Sequence, residues 1–377
     1  MSLEVIHIIL DVIMVFAALY LVCIGAFTYG LLVLSRSENT DATLTNSKKI
    51  SVLVAARNEG KNIERLLKSL YEQSYDKKEY EVIIVDDHSD DDTSVVVNSF
   101  IASHSDMKLR LLQAEQNGKK QAISQALHAA ENEVIMVTDA DCELPRRWME
   151  KMLAYYDKKG LKMLLGPVLL SPANTLFEKL QVLEHLSLIA STAGSAGIGM
   201  PVMCNGANMM YDRESALKVE GDRKDMNIAS GDDMFLMEQF LRRYGSASVN
   251  FFLNKEVIVK TATMPNLKAF FRQRRRWASK TKAYTNWKII ATALIVFLFN
   301  LSIVGFFFAG FFMPVFWVFF VLYVILKTLV DFPIMKRITA FIGQRNLKNW
   351  MFPLEFVYPF YVVFTALSGL FLKPKWK

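Results

Sequence analysis

Two long uncharged stretches constrain this chain more than any other feature of its sequence. Residues 12–34 form a run of 23 residues without a charge, and residues 289–326 form a run of 38. At about 1.5 Å per residue, a helix over the first run is long enough to cross the roughly 30 Å hydrocarbon core of a bilayer. The second run is too long for one span, and Pro314 inside it predicts a helical hairpin. We therefore expect membrane helices on both sides of a polar middle.

A shorter apolar segment, Phe356 to Leu372, predicts a fourth span near the C-terminus. The alternative for the first span is a cleaved signal peptide. However, its opening residues, MSLE, contain no basic residue, and no small-residue cleavage site follows. The prediction is an uncleaved transmembrane anchor at residues 1–35 and three transmembrane helices within residues 289–377.

The basic residues predict how these helices are oriented. The hairpin tip has no charge, whereas the loop between the third and fourth spans contains Lys336, Arg337, Arg345 and Lys348. By the positive-inside rule, this loop and the polar middle are expected on the cytoplasmic side of a plasma membrane, such as the bacterial inner membrane. The KPKWK tail is then expected outside. The net charge of +7 follows largely from this arrangement, so we predict no nucleic-acid partner.

Cysteine and histidine give no sign of a zinc or disulfide site. The three cysteines, Cys23, Cys142 and Cys204, have no paired spacing, and the five histidines are scattered. Disulfide frameworks and zinc sites need closely spaced or paired ligands. The sequence therefore argues against both.

From about residue 48, short β-branched runs alternate with amphipathic stretches. The runs that predict buried strands are KKISVLVAA, YEVIIVDD, LRLLQA and NEVIMVTDADC. Strands that alternate with helices predict right-handed βαβ units and a parallel sheet covered on both faces. Ligands of such sheets bind at the carboxyl ends of the strands.

Acidic residues stand at these predicted strand ends. Glu59 follows the first strand, Asp86 and Asp87 end the second, and Asp139 and Asp141 end a later one. Carboxylates crowded at one sheet edge repel each other unless a positive group lies among them. A divalent cation that also binds a phosphorylated ligand is the economical explanation, because hard cations prefer carboxylate and phosphate oxygens.

Each short motif also has an ordinary structural explanation. An Asp-Asp-His-Ser segment at 86–89 and the Ser-Gly-Asp-Asp segment at 230–233 both resemble helix N-caps. Asp139-Ala-Asp141 is short enough to recur by chance, and Lys119 after Gly118 is either a phosphate contact or a solvated charge. The order of the motifs along one βαβ series is more specific than any of them alone.

In that order, the motifs resemble the membrane-integrated branch of the family 2 glycosyltransferases. That branch includes cellulose, hyaluronan, chitin and poly-N-acetylglucosamine synthases and some lipid glycosyltransferases. The matching segments, over roughly residues 48–280, are VLVAARNE, IIVDDHSDDDT, NGKKQAISQAL, VTDADC, CNGANMMYDR, SGDDMFL and QRRRW. The resemblance implies an α/β GT-A-like fold, Rossmann-like with a mostly parallel sheet, in a cytoplasmic catalytic domain at 36–260. An amphipathic interface helix carrying QRRRW is expected at 261–288.

The resemblance also implies a donor and a metal site. A nucleotide sugar, with uridine as the expected base, is the implied donor, and Mg²⁺ or Mn²⁺ is the implied cofactor. Asp139 and Asp141 match the metal-binding Asp-x-Asp, with Asp141 the surer ligand and Asp139 also on the donor side. The remaining implied contacts to the nucleotide are Ala56, Glu59, Asp86, Asp87 and Lys119.

The implied chemistry needs a base and an acceptor site. Asp233 aligns with the catalytic base of the family, and its neighbour Asp232 is the second candidate. A carboxylate within hydrogen-bond reach of the acceptor hydroxyl takes its proton as the new bond forms. Asn205, Gly206 and Asn208 resemble the acceptor-side segment, although a glycine turn before a strand is the alternative.

The QRRRW segment, residues 273–277, has two interpretations that charge alone does not separate. It is a basic flank that orients a span or contacts anionic lipid, or it is part of the site. The resemblance assigns Arg274 and Arg276 to the diphosphate, and Gln273 and Trp277 to the acceptor. Arg275 is then the lipid head-group contact.

The implied function is an inverting, metal-dependent transfer to a membrane lipid or a lipid-linked or saccharide acceptor. A processive polysaccharide synthase that secretes its polymer is the alternative, and a homo-oligomer would help to wall its channel. Two other classes are a nucleotide-binding scaffold without catalysis and a membrane nucleotidyltransferase. Two amphipathic segments, residues 174–199 and 264–287, are expected to lie on the membrane. The Met200-Pro201 region and the glycines before it are expected to form a mobile connection.

Overall fold

The computed structural model describes residues 3–37, 48–221 and 231–371. Its helices are α1 Leu3–Ser37, α2 Ile63–Tyr71, α3 Thr93–Ser103, α4 Lys119–Ala129, α5 Trp148–Lys159, α6 Leu176–Gly197, α7 Arg213–Glu220, α8 Asp232–Tyr244, α9 Leu267–Ser279, α10 Trp287–Ala309, α11 Val315–Phe341 and α12 Met351–Phe371. Its strands are β1 Ile50–Ala56, β2 Tyr80–Asp86, β3 Lys108–Gln113, β4 Val134–Val137, β5 Met163–Leu165, β6 Val168–Leu170, β7 Met209–Asp212, β8 Val249–Phe251 and β9 Val259–Thr261. The four strands and the alternating helices predicted before residue 142 are therefore all present.

The chain divides into two compact units. The α/β unit comprises Leu34–Pro172 and Met203–Thr263. The helical unit comprises Met1–Val33, Ala173–Val202 and Met264–Lys377. Residues 173–202 lie inside the catalytic domain predicted at 36–260, yet they pack with the helical unit, because α6 contributes apolar surface that its neighbours there cover.

The α/β unit contains a seven-stranded sheet in the order β3-β2-β1-β4-β7-β5-β8 and a two-stranded sheet of β6 and β9. Strands β1, β2, β3 and β4 pair in parallel, whereas β7 runs antiparallel to both of its neighbours. This confirms the prediction of a mostly parallel sheet. The carboxyl ends of the four parallel strands meet at one edge, where a ligand site is expected.

Local sequence explains these elements. Strand β2 is buried at every position, as expected for a parallel strand covered on both faces. Helix α2 turns its apolar residues to the sheet at helical spacing: Ile63, Leu66, Leu67 and Leu70 are all fully buried. The core of the unit therefore forms between the sheet and its flanking helices.

The helical unit contains four helices that are long and apolar enough to cross a membrane. Their spans are Asp11–Arg36, Trp287–Ala309, Val315–Phe341 and Arg345–Leu370. The second and third are joined by a short turn that includes Pro314, so the predicted helical hairpin is present. The end predicted for the fourth span, Leu372, lies outside the described residues, as does the KPKWK tail.

Helix α6 differs from the single-faced amphipathic helix that the sequence suggested. Its residues 181–186 are all buried, so the middle of the helix is enclosed within the helical unit. The glycines near its end were expected to form a mobile connection, and this prediction is wrong for Gly194 and Gly197. Both lie within α6, where they let its backbone approach that of α1.

The α1–α6 contact leaves no room for a side chain. A Cβ atom on Gly194 would lie 2.3 Å from the carbonyl oxygen of Phe27, and one on Gly197 would lie 2.1 Å from that of Gly30. Small residues allow helix backbones to pack this closely in membranes. The glycines of α6 therefore have a packing function.

We expect Gly194→Ala to destabilise the helical unit by about 1–3 kcal/mol, because the atoms it meets belong to backbone that cannot rotate away. The measurement is thermal unfolding of the detergent-purified protein. Gly25→Ala in α1 is the matched control, since a Cβ atom there meets nothing within 4 Å. Equal unfolding temperatures for the two variants would contradict the packing role.

Candidate active site

The loop after β2 is built around the carboxylate of Asp86, which is only 3% exposed. It accepts hydrogen bonds from the backbone N–H of Ser89 at 3.1 Å and from the hydroxyls of Ser89 and Ser94. Burial alone would raise the pKa of Asp86, but these hydrogen bonds outweigh it and lower the pKa. Asp86 therefore stays ionised and holds the loop in one shape.

The loops after β1 and β2 are linked to each other. Asn58 and His88 both have φ near 55°, in the left-handed region that few non-glycine residues adopt. The side chain of Asn58 accepts a hydrogen bond from the N–H of Asp90 at 2.8 Å, and its own N–H donates to Ser89 Oγ at 2.9 Å. These strained residues fix both strand ends next to each other.

Asp87 connects this edge to the start of α4. Its buried carboxylate accepts a hydrogen bond from the N–H of Gly118 at 2.9 Å and lies 3.7 Å from the guanidinium of Arg57. Gly118 has φ 115°, a conformation that disfavours any side chain. The bond holds Lys119, the next residue, at the carboxyl edge of the sheet.

Lys119 lies among three carboxylates. Its ammonium forms an ion pair with Asp139. Burial favours the neutral amine, but the charges of Asp139, Asp233 and Asp141 outweigh it and raise the pKa of Lys119 well above its ordinary value. The structure thus brings Asp233 to Lys119, Asp139 and Asp141, although Asp233 follows Lys119 by 114 residues in the chain.

Asp141 differs from Asp139 in its environment. Burial, together with the neighbouring charge of Asp139, raises the pKa of Asp141, while the hydroxyl of Thr261 donates to Asp141 Oδ2 at 3.1 Å. The backbone oxygen of Asp141 accepts from Arg65 at 2.7 Å, which fixes the turn. Asp141 is thus a carboxylate whose charge lacks the ammonium partner that Asp139 has.

Asp233 stands in the first turn of α8, after Gly231 in a left-handed conformation with φ 89°. Its Oδ2 accepts a hydrogen bond from the N–H of Gly206 at 3.0 Å, and its Oδ1 accepts from the N–H of Met234 at 2.8 Å. Asp232 begins the helix beside it. Asp233 is therefore oriented by backbone groups while it can still accept a proton.

The carboxylates of Asp139 and Asp141 lie close to each other and share the ammonium of Lys119, which forms its ion pair with Asp139. The charge of Asp233 also acts on this ammonium. Among the described residues no cluster of three or more His, Cys, Asp or Glu side chains forms a complete metal cage. Two carboxylates and a phosphorylated ligand are nevertheless the usual ligand set of Mg²⁺ in proteins.

The segment before β7 contains a residue that sequence reasoning did not assign correctly. Asn208 was grouped with the acceptor-side residues, but it is fully buried. Its amide donates to the carbonyl oxygens of Pro167 at 2.9 Å and Val257 at 2.8 Å, and it accepts from Trp148 Nε1 at 2.9 Å. Asn208 is thus a structural residue that joins three segments.

Asn205 and Gly206 lie on the side of that segment next to the candidate base. Asn205 Oδ1 accepts from the N–H of Ala207 at 3.0 Å, and Gly206 holds Asp233 as described above. Gly206 lies directly beside Asp233, since a Cβ atom built on it would be in van der Waals contact with Asp233 Cβ at 3.4 Å.

Two further predicted donor residues lie at the end of β1. The carbonyl oxygen of Ala56 accepts from the N–H of Asp87 at 2.8 Å, which places Ala56 directly beside the acidic loop. The N–H of Glu59 donates to Thr93 Oγ1 at 2.8 Å, and its carboxylate accepts from Asn62. Both residues belong to the edge that holds Asp86 and Asp87.

The QRRRW segment lies on α9 of the helical unit. Arg274 is 4% exposed, and two N–H groups of its guanidinium donate hydrogen bonds to the carboxylate of Glu184 on α6. Tyr361 donates a further hydrogen bond to Glu184 at 2.8 Å. The guanidinium N–H groups of Arg274 therefore donate to the carboxylate of Glu184, whereas the prediction had them donate to the diphosphate.

Trp277 packs on this buried ion pair. The Arg274 guanidinium lies 4.2 Å from the Trp277 ring centroid, and the ring of His185 lies 6.4 Å from it. The side chain of Gln273 accepts from Arg274. Arg275 and Arg276 follow on the same helix, and both are partly exposed. The pair of Glu184 and Arg274 thus fixes the orientation of the tryptophan.

Comparison with known proteins agrees with this arrangement. Residues 51–219 match the model of the family described as Glycosyl transferase family 2. That stretch contains the acidic strand ends, Lys119 and the Asp139-Ala-Asp141 motif.

This chain carries a family 2 glycosyltransferase domain.

The glycosyltransferase domain has curated relatives with different products. A β-monoglucosyldiacylglycerol synthase of Nostoc is 36% identical over 96 residues, which are 25% of this chain and 20% of that protein. A poly-β-1,6-N-acetyl-D-glucosamine synthase of Staphylococcus epidermidis is 26% identical over 196 residues, or 52% of this chain and 45% of that protein. The matched segments thus span less than half the length of these relatives.

The fold of this chain is similar to that of a solved mannosyltransferase. The structure of the Pyrobaculum calidifontis enzyme in complex with GDP-mannose and Mn²⁺ aligns with a TM-score of 0.56 at 17% identity. The alignment covers 93% of this chain and 99% of that one. The predicted GT-A-like α/β fold is confirmed.

Proposed function

We propose that this protein is a membrane-embedded, inverting and metal-dependent glycosyltransferase. It transfers a sugar from a nucleotide-sugar donor, with a UDP-sugar as the expected form, to a membrane lipid or a lipid-linked or saccharide acceptor. The observation that carries this proposal is the group of Asp139, Asp141 and Asp233 around Lys119 at the carboxyl edge of the sheet. A divalent cation would supply positive charge beside Asp139 and Asp141 and would link these carboxylates to the diphosphate of the donor.

The donor lies, in this proposal, along the ends of β1 and β2. Asp86 and Asp87, with Ala56 and Glu59, contact the base and ribose, and Lys119 contacts the diphosphate. The rigid hydrogen bonding of Asp86 and Asp87 supports this role, because a preorganised pocket loses less entropy when the nucleotide binds. Arg276 is assigned to the diphosphate because its fork matches phosphate oxygens.

The donor set at this edge fits a hard divalent cation. Asp141 and Asp139 would hold the cation through their carboxylates, and Lys119 would contact the diphosphate. When bound, Mg²⁺ or Mn²⁺ neutralises charge that develops on the leaving diphosphate. Thr261 orients Asp141 through its hydroxyl.

Asp233 performs the proton transfer. Its carboxylate accepts the proton of the acceptor hydroxyl while that oxygen attacks the anomeric carbon, and the bond from this carbon to the diphosphate breaks. A nucleoside diphosphate leaves with the bonding electrons. One displacement without a covalent intermediate inverts the anomeric centre. The N–H groups of Gly206 and Met234 hold the carboxylate in place throughout.

Two classes of product, a glycolipid and a polysaccharide, correspond to two kinds of acceptor. The Nostoc relative is named for a glycolipid, and the Staphylococcus relative is named for a polysaccharide. Among the described residues, three candidate spans follow the glycosyltransferase domain, and three helices offer little protein to wall a polymer channel. We therefore favour a lipid or lipid-linked acceptor, with a processive synthase as the alternative and a homo-oligomer as its means of building a channel.

The decisive experiment incubates the purified full-length protein with Mg²⁺ or Mn²⁺, a lipid extract and a panel of UDP- and GDP-sugars. GDP-sugars belong in the panel because the mannosyltransferase of the same fold was solved with GDP-mannose. Release of nucleoside diphosphate with a matching glycolipid supports the proposal, and EDTA should abolish it. Binding without turnover would favour a scaffold, and transfer of a nucleoside monophosphate would favour a nucleotidyltransferase. A polymer on gel filtration would select the synthase alternative.

The three arginines of α9 are expected to differ in their effects. Arg276→Ala and Trp277→Ala should reduce transfer by about 100-fold or more, because each removes a direct contact in the proposed site. Arg275→Ala should be mild, since we assign that residue to lipid head groups. Initial transfer rates of detergent-purified variants, normalised to folded protein, provide the comparison.

Arg274 is proposed as a positioning residue for Trp277. Arg274→Gln should lower the unfolding temperature as well as the rate, since Glu184 is then buried without its cation. Glu184→Gln combined with Arg274→Gln should recover part of the stability. If Arg275, Arg276 and Trp277 variants all lose the same small amount of activity, the segment is only a basic flank.

A further inference from the structure

A basic cavity lies at the end of α11, outside the site described above. Its volume is about 650 Å³, within the range of about 300–1,000 Å³ typical of ligand pockets. It is lined by Phe332, Pro333, Lys336, Arg337, Thr339, Ala340, Arg345 and Lys348. All of these residues belong to the helical unit.

The four cations of this cavity, Lys336, Arg337, Arg345 and Lys348, form no ion pair with any carboxylate in the described part of the chain. The nearest acidic residue in sequence, Asp331, accepts hydrogen bonds from Tyr20 and Lys327 instead. None of the described residues that line the cavity carries a carboxylate. Four like charges around one cavity repel each other unless an anion lies among them, so the cavity is suited to a polyvalent anion.

The helix dipole does not change this conclusion. The cavity lies near the C-terminal end of α11, where the unsatisfied carbonyl groups carry a partial charge of about −0.5. That charge opposes an anion, but the four side chains together carry four full positive charges. The balance favours an anion such as a phosphate group, which arginine binds with two N–H groups and lysine as a point charge.

The apolar part of the lining distinguishes a lipid phosphate from a soluble one. Phe332 is 41% exposed and belongs to the candidate span Val315–Phe341, and Pro333 and Ala340 line the same cavity. A soluble phosphate ion has no apolar part that could pack against these side chains. A phospholipid places its phosphate where a span ends and its acyl chains along the apolar surface of that span.

We infer that this cavity binds the phosphate group of an anionic membrane lipid. Lys336 and Arg337 contact the phosphate from α11, and Arg345 and Lys348 contact it from the following segment. Phe332 and Ala340 contact the adjoining glycerol and acyl carbons. The inference rests on the membrane embedding in the proposed function, although it does not require glycosyl transfer.

The test uses the full-length protein in a neutral detergent and measures retained lipid by native mass spectrometry. The probe is dioctanoyl phosphatidic acid, with dioctanoyl phosphatidylcholine as the zwitterionic comparison. We expect wild type to retain the phosphatidic acid, and Lys336→Ala/Arg337→Ala to weaken its binding by about tenfold or more, as the loss of two surface cations implies.

Lys61→Ala/Lys158→Ala is the matched control. Both lysines are exposed in the α/β unit and make no ion pair with a described residue, so the change in net charge is the same. The control should bind phosphatidic acid within about twofold of wild type, because neither lysine lines the cavity. Equal losses in the two double variants would overturn the inference, since they would indicate attraction to net charge alone.

Competition identifies the source of the phosphate. Inorganic phosphate at a concentration equal to that of the lipid should leave the lipid bound. If phosphate displaces the lipid, the cavity is a site for a soluble anion and the inference is overturned. Equal retention of phosphatidylcholine would also overturn it. Membrane fractionation separates the two proposals. If the cavity variants are recovered in the membrane fraction and still bind the lipid as wild type does, only this inference is contradicted. If wild type is recovered in the soluble fraction, the membrane embedding itself is contradicted.

Discussion

Asp233→Asn is expected to reduce glycosyl transfer by about 10²–10⁴-fold, the usual contribution of a general base. The asparagine has the size of the aspartate and its amide oxygen can still accept one of the two backbone N–H groups, from Gly206 or Met234. It cannot take a proton from the acceptor hydroxyl. We therefore expect the catalytic rate to fall, while the dissociation constant of the nucleotide sugar, measured by isothermal titration calorimetry, changes little.

Asp232→Asn is the matched control for this experiment. Asp232 precedes Asp233 at the start of α8 and undergoes the same change of charge near the helix N-terminus. A general loss of negative charge would affect both variants equally. We expect Asp232→Asn to retain most of the transfer rate. If Asp232→Asn is the more damaged variant, the base is Asp232, and the assignment of Asp233 is wrong.

Lys327→Met is expected to destabilise the helical unit by about 3–5 kcal/mol, the range for removing one partner of a buried ion pair. Lys327 is 1% exposed inside a candidate membrane span, and its ammonium donates to Asp331 on α11 and Glu355 on α12. Tyr20 on α1 donates to both oxygens of Asp331 at 2.8 and 2.9 Å. Methionine would leave two carboxylates buried together without a cation.

Thermal unfolding of the purified variant, together with its yield in the membrane fraction, measures this effect. Lys288→Met is the control, because Lys288 lies at the start of α10 without an ion pair to a described residue. Adding Asp331→Asn and Glu355→Gln to Lys327→Met should recover much of the loss, since no unpaired charge then remains. An unchanged unfolding temperature for Lys327→Met would mean that water already solvates the network.

Much of the fold was predictable because its signals are local. Strands β1 to β4 correspond to β-branched runs, and α2 has apolar residues at helical spacing. In both cases the residue types and their spacing along the chain indicate which positions are buried. Uncharged length predicted the candidate spans, and Pro314 predicted the turn of the hairpin. The order of the strand-end motifs then indicated the family, which the match over residues 51–219 confirms.

The errors arose where a residue has partners that are distant in sequence. Arg274 looked like a free phosphate ligand until Glu184, ninety residues earlier, was placed against it. Asn208 looked like an acceptor contact, but its partners come from three other segments. The glycines of α6 looked like a hinge because nothing in their neighbourhood in sequence indicates the backbone of α1.

The sequence by itself determined the kinds of elements, their order and the chemical types of residue at the strand ends, because backbone period and charge are properties of neighbouring residues. The tertiary structure decided which charges meet. It placed Asp233 and Asp141 beside Lys119, joined Arg274 to Glu184, and buried Lys327 between Asp331 and Glu355. These pairings depend on how helices and strands pack, and the electrostatic energy of a charge depends on the partners and the burial that packing creates.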